Sequence, residues 1–355
     1  MNEAAINQFA PALIAWQKTH GRHDLPWQNT RDPYKVWLSE IMLQQTQVAT
    51  VKDYFARFLA AHPTVSSLAA ASLDEVLGLW SGLGYYSRAR NMHRCAQEVV
   101  ELHGGAFPQN AIALQTLPGI GPSTAAAIAS LCFSERVAIL DGNVKRVLTR
   151  LLGFDADLAK TSNERALWRI ATDILPKPEN KADLWTAMPH YTQGVMDLGA
   201  SLCSTRKPNC LLCPVQTLCV ASKEGQPERY PVKTRTLKRS SESLWLLWAQ
   251  RADGAVYLEQ RPTPGVWAGL YCLPVFASFE ALTTALPPNN ASKLVEQPVF
   301  KHVLTHKDLH LHPVGLEVSA KASFPNIQGQ WFDQAAWSKL GLPAPVRKLL
   351  ESITA

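Results

Sequence analysis

No window of this 355-residue sequence approaches the roughly 20 apolar residues a membrane-spanning helix needs. The first residues, MNEAAINQFAPALIAWQK, lack the basic start and following apolar run of a secretory leader. No membrane partner is expected, and the default compartment is the cytoplasm. Tandem repeats and low-complexity tracts are absent as well. Charge of one sign is scarce, since 35 Lys and Arg against 29 Asp and Glu leave only +6. A hydrophobic share of 46% with 18% charged residues excludes a disordered or fibrous chain, and the length suffices for about two domains with their own cores.

That small surplus is unevenly placed. Residues 1–240 hold all of it, with 26 basic against 20 acidic residues, whereas 241–355 hold nine of each. The distribution hints at a polyanion-binding domain joined to a neutral one. The first 220 residues read as helix after helix. From Pro33 a glycine-free run, PYKVWLSEIMLQQTQVATVKDYFARFLAAH, is rich in helix formers, and 73–80, 87–103, 122–133, 142–152 and 163–175 carry apolar residues at spacings of three and four. The stretch 223–243 is polar, basic and without a periodic apolar face, so it reads as a linker. Beyond it, 244–250, 255–261, 298–304 and 308–318 alternate like strands. The expected architecture is an all-helical domain over 1–222 and a smaller α+β domain over 244–355.

Seven cysteines divide into four and three. Cys95, Cys132 and Cys272 stand singly and read as small buried apolar residues. Cys203, Cys210, Cys213 and Cys219 form C-x6-C-x2-C-x5-C, which can wrap one metal centre. Spacing alone admits zinc or an iron–sulfur cubane, with the x6 gap leaning toward the latter. Ser204, Thr205, Arg206 and Lys207 fill the first gap and put cations on the loop the ligands would hold, which suits phosphate contact; a purely structural staple is the plainer reading.

Between two helical stretches lies Leu117-Pro-Gly-Ile-Gly121, followed by small residues. Gly119 and Gly121 can take positive φ and leave no Cβ in the way of a close approach. Pro122 suits the first position of a helix whose N–H groups would face an anion. This is the form of a helix–hairpin–helix gripping a DNA phosphate without reading sequence.

Glu40 has Val36, Trp37, Leu43 and Gln44 as its helical neighbours. Burial among them would raise its pKa toward that of a general acid, although a glutamate on a wet helix edge is the commoner case. Asp141 follows the apolar run 137–140 and reads first as the N-cap of the next helix; an ionised, rigidly held carboxylate can also face a developing cation. Gln44-Gln45-Thr46-Gln47 and Gly82-Leu-Gly-Tyr-Tyr86 are poor core material and suit wedges entering a base stack.

Together these segments, with LPWQ (25–28), WLSEIMLQQTQV (37–48), GLGYYSRARN (82–91), ILDGNVKRV (139–147) and MDLGASLC (196–203), resemble the helix–hairpin–helix DNA glycosylases related to endonuclease III, and within them the adenine DNA glycosylases of the MutY type. The resemblance implies a [4Fe–4S] cluster on the four cysteines and removal of adenine mispaired with 8-oxoguanine or guanine in double-stranded DNA. It implies a monomer acting at the nucleoid. By the same resemblance Glu40 protonates adenine at N7 and Asp141 stabilises an oxocarbenium-like sugar. Gln45 and Tyr85 brace the opened duplex, and Asn143 supports the site.

Ser123 stands where lyase-competent relatives carry a lysine; a serine forms no Schiff base, so base removal without efficient strand cleavage is implied. Lys145 lies near Asp141 in sequence but is not read as the nucleophile. The C-terminal part resembles the Nudix-type domain that reads 8-oxoguanine. Its stretch after Pro274, SFEALTTALPP, has one acidic residue and so nothing to hold Mg²⁺, which implies a binding module. The family's Phe-Ser-His recognition motif aligns with Leu304-Thr305-His306, assigning lesion recognition to Thr305 and His306 without the aromatic. Two other readings stand beside this one: a bifunctional endonuclease III-like glycosylase and AP lyase, against which Ser123 and the appended domain weigh, and a non-catalytic iron–sulfur DNA-binding protein, for which Glu40 would be dispensable.

Overall fold

The computed structural model describes residues 3–177, 180–234 and 238–352. Residues 1–2, 178–179 and 353–355 of the two expected domains, and 235–237 of the expected linker, lie outside the described residues. The chain divides into two compact units, one of Met1–Ala69 with Arg94–Thr236 and one of Ala70–His93 with Leu237–Ala355.

The N-terminal part runs through α1 (Glu3–His20), α2 (Pro33–Leu43), α3 (Val48–Ala61), α4 (Val65–Ala70), α5 (Leu73–Leu79), α6 (Ser87–His103), α7 (Ala111–Leu114), α8 (Pro122–Phe133), α9 (Gly142–Leu152), α10 (Thr161–Asp173), α11 (Lys181–Ala200) and the short α12 (Val220–Lys223). Local chemistry explains most starts. Asp32 caps α2 by accepting from the Tyr34 N–H at 2.9 Å, with Pro33 at the first helical position. Asn110 and Asn180 cap α7 and α11 likewise, and Ser72 and Glu75 form a reciprocal capping box on α5. The glycine-free run from Pro33 divides into α2 and α3, with Gln44–Gln47 between them and Gln45 in the left-handed region at φ 57°. Glutamine is a good helix former, so no local signal marks that break.

Phe9 and Leu13 of α1, Ala126 and Ala127 of α8, Val144, Val147, Leu148 and Leu151 of α9, Leu167 of α10, and Met188, Val195 and Leu198 of α11 make one buried cluster. The buried segment 138–140 joins it and delivers Asp141 to the head of α9. The stretch read as a linker packs over much of its length. Tyr230 is buried, its carbonyl accepts from Arg150 Nε at 3.2 Å, and the Leu158 N–H donates to the Val232 carbonyl at 3.0 Å. One aromatic anchor and backbone hydrogen bonds hold this segment, and neither leaves a periodic trace in the sequence.

In the second unit, strands β1 (Ser240–Arg251), β2 (Val256–Gln260), β3 (Tyr271–Cys272), β4 (Val275–Phe276), β5 (Val295–Glu296), β6 (Phe300–Val303), β7 (Lys307–Val318) and β8 (Gln330–Phe332) form a mixed sheet of order β3-β2-β1-β7-β5. β4, β6 and β8 pair with β1, β7 and β2 respectively. β1 and β7 lie parallel from Ser240 against Lys307 to Arg251 against Val318; the other pairs are antiparallel. The two-residue period sorts side chains between two cores. Leu244, Leu246, Leu309 and Leu311 pack with α15 (Gln334–Trp337) and α16 (Ala344–Glu351), whereas Leu247, Ala249, Val314 and Leu316 pack with α13 (Phe279–Ala285) and the residues Phe324 and Ile327. The helix α14 (Pro288–Ala291) follows α13.

Residues 70–93 belong to this unit by contact although they precede it by more than a hundred residues in sequence. A Cβ on Gly78 would overlap the Lys339 carbonyl, and one on Gly341 would stand 2.6 Å from Leu77 Cβ, so both glycines permit close backbone approach. Tyr86 donates to the Leu342 carbonyl at 2.9 Å and Arg347 Nε to Ser81 Oγ at 3.0 Å.

Candidate active site

Three elements of the first unit meet at the two candidate carboxyls. α2 carries Glu40, α8 begins at the glycine hairpin, and α9 is capped by Asp141. Gln44 Nε2 donates to Thr124 Oγ1 at 3.4 Å, joining the end of α2 to the start of α8. Ser123 Oγ accepts from the Leu140 N–H at 3.2 Å, joining α8 to the residue ahead of Asp141.

Burial, and secondarily the negative charge of Asp141, push the Glu40 carboxyl up to about 7. That the charge of Asp141 is felt at Glu40 puts both groups in one electrostatic neighbourhood. Asp141 Oδ1 accepts from the Val144 N–H at 2.7 Å, so it is the N-cap its sequence suggests. Burial raises its pKa too. The N–H groups of Val144 and Asn143 and the cations Arg146 and Lys145 oppose that rise. Chemically the site offers a carboxylic acid able to donate near neutrality and a second carboxyl surrounded by groups that favour its anion.

The hairpin glycines divide their labour. Gly119 takes the left-handed conformation at φ 76°. Gly121 does not: it is an extended N-cap at φ −82°, and a Cβ there would meet nothing within 4 Å. Neither its backbone conformation nor its surroundings within the protein require a glycine. Asn143 Oδ1 accepts from the Arg146 guanidinium at 2.8 Å. Lys145 is ion-paired with Glu164. Gln45 is exposed, on its left-handed turn.

Tyr85, Thr305 and His306 belong to the second unit. Tyr85 is 42% exposed with a left-handed backbone at φ 49°, and its hydroxyl is hydrogen-bonded to that of Thr305. Both line a cavity of about 540 Å³ together with His306.

Cys203, Cys210, Cys213 and Cys219 are free thiols lining one small cavity. Among the described residues no group of three or more His, Cys, Asp or Glu side chains is arranged to hold a metal ion. Burial pushes the thiols of Cys213 and Cys219 up. Two arginines that sequence reasoning passed over bind this loop to α9. Arg146 donates to the carbonyls of Cys203 at 2.8 Å and Gly199 at 2.7 Å. The buried Arg150 donates to Cys203 Sγ at 3.4 Å, Ser204 O at 2.7 Å and Thr205 O at 3.1 Å. Their separation of four residues, which sets both on one helix face, was the available signal. Asp197, fully buried and gripped by Arg22 Nε at 2.7 Å and Gln193 Nε2 at 2.9 Å, was missed as well.

A helical hairpin unit that carries two half-buried carboxyls is joined in one chain to a sheet unit, the make-up of a base excision DNA repair protein. Residues 38–172 match the HhH-GPD superfamily base excision DNA repair protein family, and residues 245–352 match the NUDIX domain family. The chain belongs to the adenine DNA glycosylases of the MutY type, hydrolases of N-glycosyl bonds in base excision repair. It is 36% identical over 348 residues to the adenine DNA glycosylase of Buchnera aphidicola subsp. Acyrthosiphon pisum (strain APS), covering 97% of each chain. It is 44% identical over 232 residues to that of Mus musculus, covering 63% of this chain and 43% of the mouse protein. Among solved structures, a thermostable thymine-DNA glycosylase matches with a TM-score of 0.53 at 27% identity, over 62% of this chain and 98% of that one. A non-covalent endonuclease III–DNA complex shares the fold, with a TM-score of 0.52 at 22% identity over 63% of this chain and 98% of that one. Among the described residues no helix is long and apolar enough to cross a membrane.

Proposed function

We propose that this chain is a monofunctional glycosylase that hydrolyses the N-glycosidic bond of adenine opposite 8-oxoguanine or guanine in duplex DNA. The observation that carries the reading is a glutamate pushed up to about 7 in the electrostatic reach of a second carboxyl. Adenine leaves poorly as an anion. Glu40 donates a proton to adenine N7, the sugar–base bond breaks with its electron pair staying on the base, and the sugar acquires oxocarbenium character. Asp141, held by two backbone N–H groups, sits as an anion against that cation, and water completes the hydrolysis. The adenine must leave the stack first; Gln45 and Tyr85, both exposed on left-handed turns, fill or brace the opened duplex. Asn143 and Arg146 steady the first turn of α9.

Ser123 offers a hydroxyl already engaged as an acceptor, and Lys145 is engaged by Glu164, so neither supplies a free amine for strand cleavage. Gly119 and Gly121 bring the start of α8 against a DNA phosphate. Thr305 and His306 read the base opposite the adenine. Cys203, Cys210, Cys213 and Cys219 would hold a [4Fe–4S] cluster: four free thiols face one cavity, and a guanidinium donates to one of the sulfurs, as suits a thiolate. When bound, the cluster supplies a rigid frame for the basic loop of Arg206 and Lys207. The protein works as a monomer on double-stranded DNA in the cytoplasm, at the nucleoid. The test is single-turnover release of free adenine from a duplex with adenine opposite 8-oxoguanine, with strand nicking scored separately. Efficient nicking without added base, or wild-type release by Glu40→Gln, would overturn the reading.

A further inference from the structure

Four segments of the second unit line the cavity of about 540 Å³, one of them Pro343 and Ala344 at the start of α16. Two carry residues given a role above, Tyr85 on one and Thr305 with His306 on another. The remaining one, the loop around 265–268, contributes Trp267, which has no role yet.

Trp267 is set there at some cost. Its backbone is left-handed at φ 58°, a conformation unusual for a bulky side chain, and such strain persists only where the surroundings impose it. The surroundings do so here. The Gly269 N–H donates to the Arg261 carbonyl at 3.0 Å, the Arg261 N–H to the Leu270 carbonyl at 2.8 Å, and the Leu270 N–H to the carbonyl of Trp267 itself at 3.0 Å. Arg90 donates to the Ala268 carbonyl at 2.6 Å, fastening the loop to the segment that bears Tyr85. The indole is half-buried. It packs on the same core as Leu304 and lies 6.1 Å from the His302 ring, with the planes at 47°. Burial, and secondarily the nearby charge of Lys348, push the His302 pKa down. Leu304, at the head of the recognition residues, is aliphatic and offers no ring. Besides Tyr85 and Tyr86, an aromatic residue from a different loop, Trp267, lines the cavity.

We infer that Trp267 is a specificity-determining residue whose indole is the stacking surface for the base opposite the excised adenine, held where Thr305 and His306 read its edge. A purine presents a flat π face that stacks on an indole independently of its edge pattern. Stacking fixes the plane of the base, and only a base fixed in plane presents its edge at hydrogen-bonding distance to a hydroxyl and an imidazole. This inference rests on the reading of Thr305 and His306 given above.

The experiment uses the full-length protein and duplexes in which a non-hydrolysable adenosine analogue faces 8-oxoguanine or guanine. The readout is the ratio of the two affinities, accompanied by single-turnover adenine release at saturating enzyme on hydrolysable duplexes. Trp267→Phe keeps a ring and should keep the ratio within about twofold. Trp267→Leu and Trp267→Met keep apolar bulk without a ring, and either that folds should lose about tenfold of the ratio with little change in the release rate. A wild-type ratio in the aliphatic variants overturns the inference, as does an equal loss in Trp267→Phe. Thr305→Val is measured alongside. If it lowers the ratio while the aliphatic variants do not, the role of Trp267 alone fails; if it too leaves the ratio unchanged, the reading of the cavity fails with it.

Discussion

The Ser123 hydroxyl accepts a hydrogen bond from the Leu140 N–H at 3.2 Å, so the first turn of the helix after the glycine hairpin positions the residue immediately before Asp141. Leu140 is buried, and removing the acceptor leaves its N–H unpaired at a cost of ~1–2 kcal/mol. Ser123→Ala should lower the unfolding free energy by about that amount and slow adenine release several-fold at saturating enzyme, with DNA affinity retained. Denaturant titration and single-turnover kinetics check it. Lost stability with an unchanged rate would separate Ser123 from the placement of Asp141.

Glu40 makes two pH predictions from one cause. As the proposed general acid, with its carboxyl pushed up to about 7, it is protonated below that value, so the single-turnover rate should fall as pH rises through about 7. Stability should fall over the same side of the scale. The unfolded chain releases the proton near 4.5, the folded protein retains it to about 7, and the folded state therefore loses ground between the two. Glu40→Gln should flatten that decline, leave the variant ~1–3 kcal/mol more stable than wild type at pH 8, and reduce adenine release by about 10²–10⁴-fold. A variant as pH-dependent in stability as the parent would assign the decline to other groups.

Asp141 caps a helix and, in the proposed mechanism, bears a charge; two substitutions part these roles. Asn keeps an acceptor for the Val144 N–H and loses the charge; Ala loses both. Asp141→Asn should therefore stay within ~0.5 kcal/mol of wild type while releasing no measurable adenine, and Asp141→Ala should lose a further ~1 kcal/mol. Thermal unfolding alongside mismatch binding decides the matter. Equal loss of binding and activity in the Asn variant would point to misfolding instead.

How much of this was legible beforehand depended on the range of the interaction. The Asp141 cap could be read from an apolar run meeting Asp-Gly-Asn, and the β1 and β7 strands from alternation, because both signals are local. The apolar flank of Glu40 was legible for the same reason. Its nearness to Asp141 was not, since it depends on how α2 and α9 pack. Residues 70–93 were placed with the helical domain by their helical period, which a helix keeps whichever core it serves. Their attachment to the second unit runs through close approach at Gly78 and Gly341, which leaves no apolar stripe. The left-handed backbones of Gln45, Tyr85 and Trp267 also escape pattern reading, because none of these residues needs that conformation intrinsically.

Arg150 tests whether the cysteine loop is tied to the helix of Asp141. It is buried and donates to Ser204 O, Thr205 O, Tyr230 O and Cys203 Sγ. Arg150→Leu should destabilise the fold by ~3 kcal/mol through the acceptors left behind. It should also lower the content of the proposed iron–sulfur cluster per chain several-fold, read by elemental analysis and visible absorbance. Full iron content in a destabilised variant would confine Arg150 to a structural role.

Gly121 gives the sharpest test of the hairpin, because folding and binding make opposite demands there. Its φ of −82° is open to any residue and a Cβ would touch nothing within 4 Å, so Gly121→Ala should be neutral or stabilise by up to ~1 kcal/mol through the unfolded state. In the proposed hairpin contact, a phosphate approaching the N–H groups at the head of α8 would meet that same Cβ. Affinity for duplex DNA should fall about tenfold, uniformly across sequences and with the lesion preference unchanged, since a backbone contact carries no base information. Measured by equilibrium binding at fixed salt on matched and mismatched duplexes, an alanine variant that binds as tightly as wild type would mean the phosphate is held elsewhere.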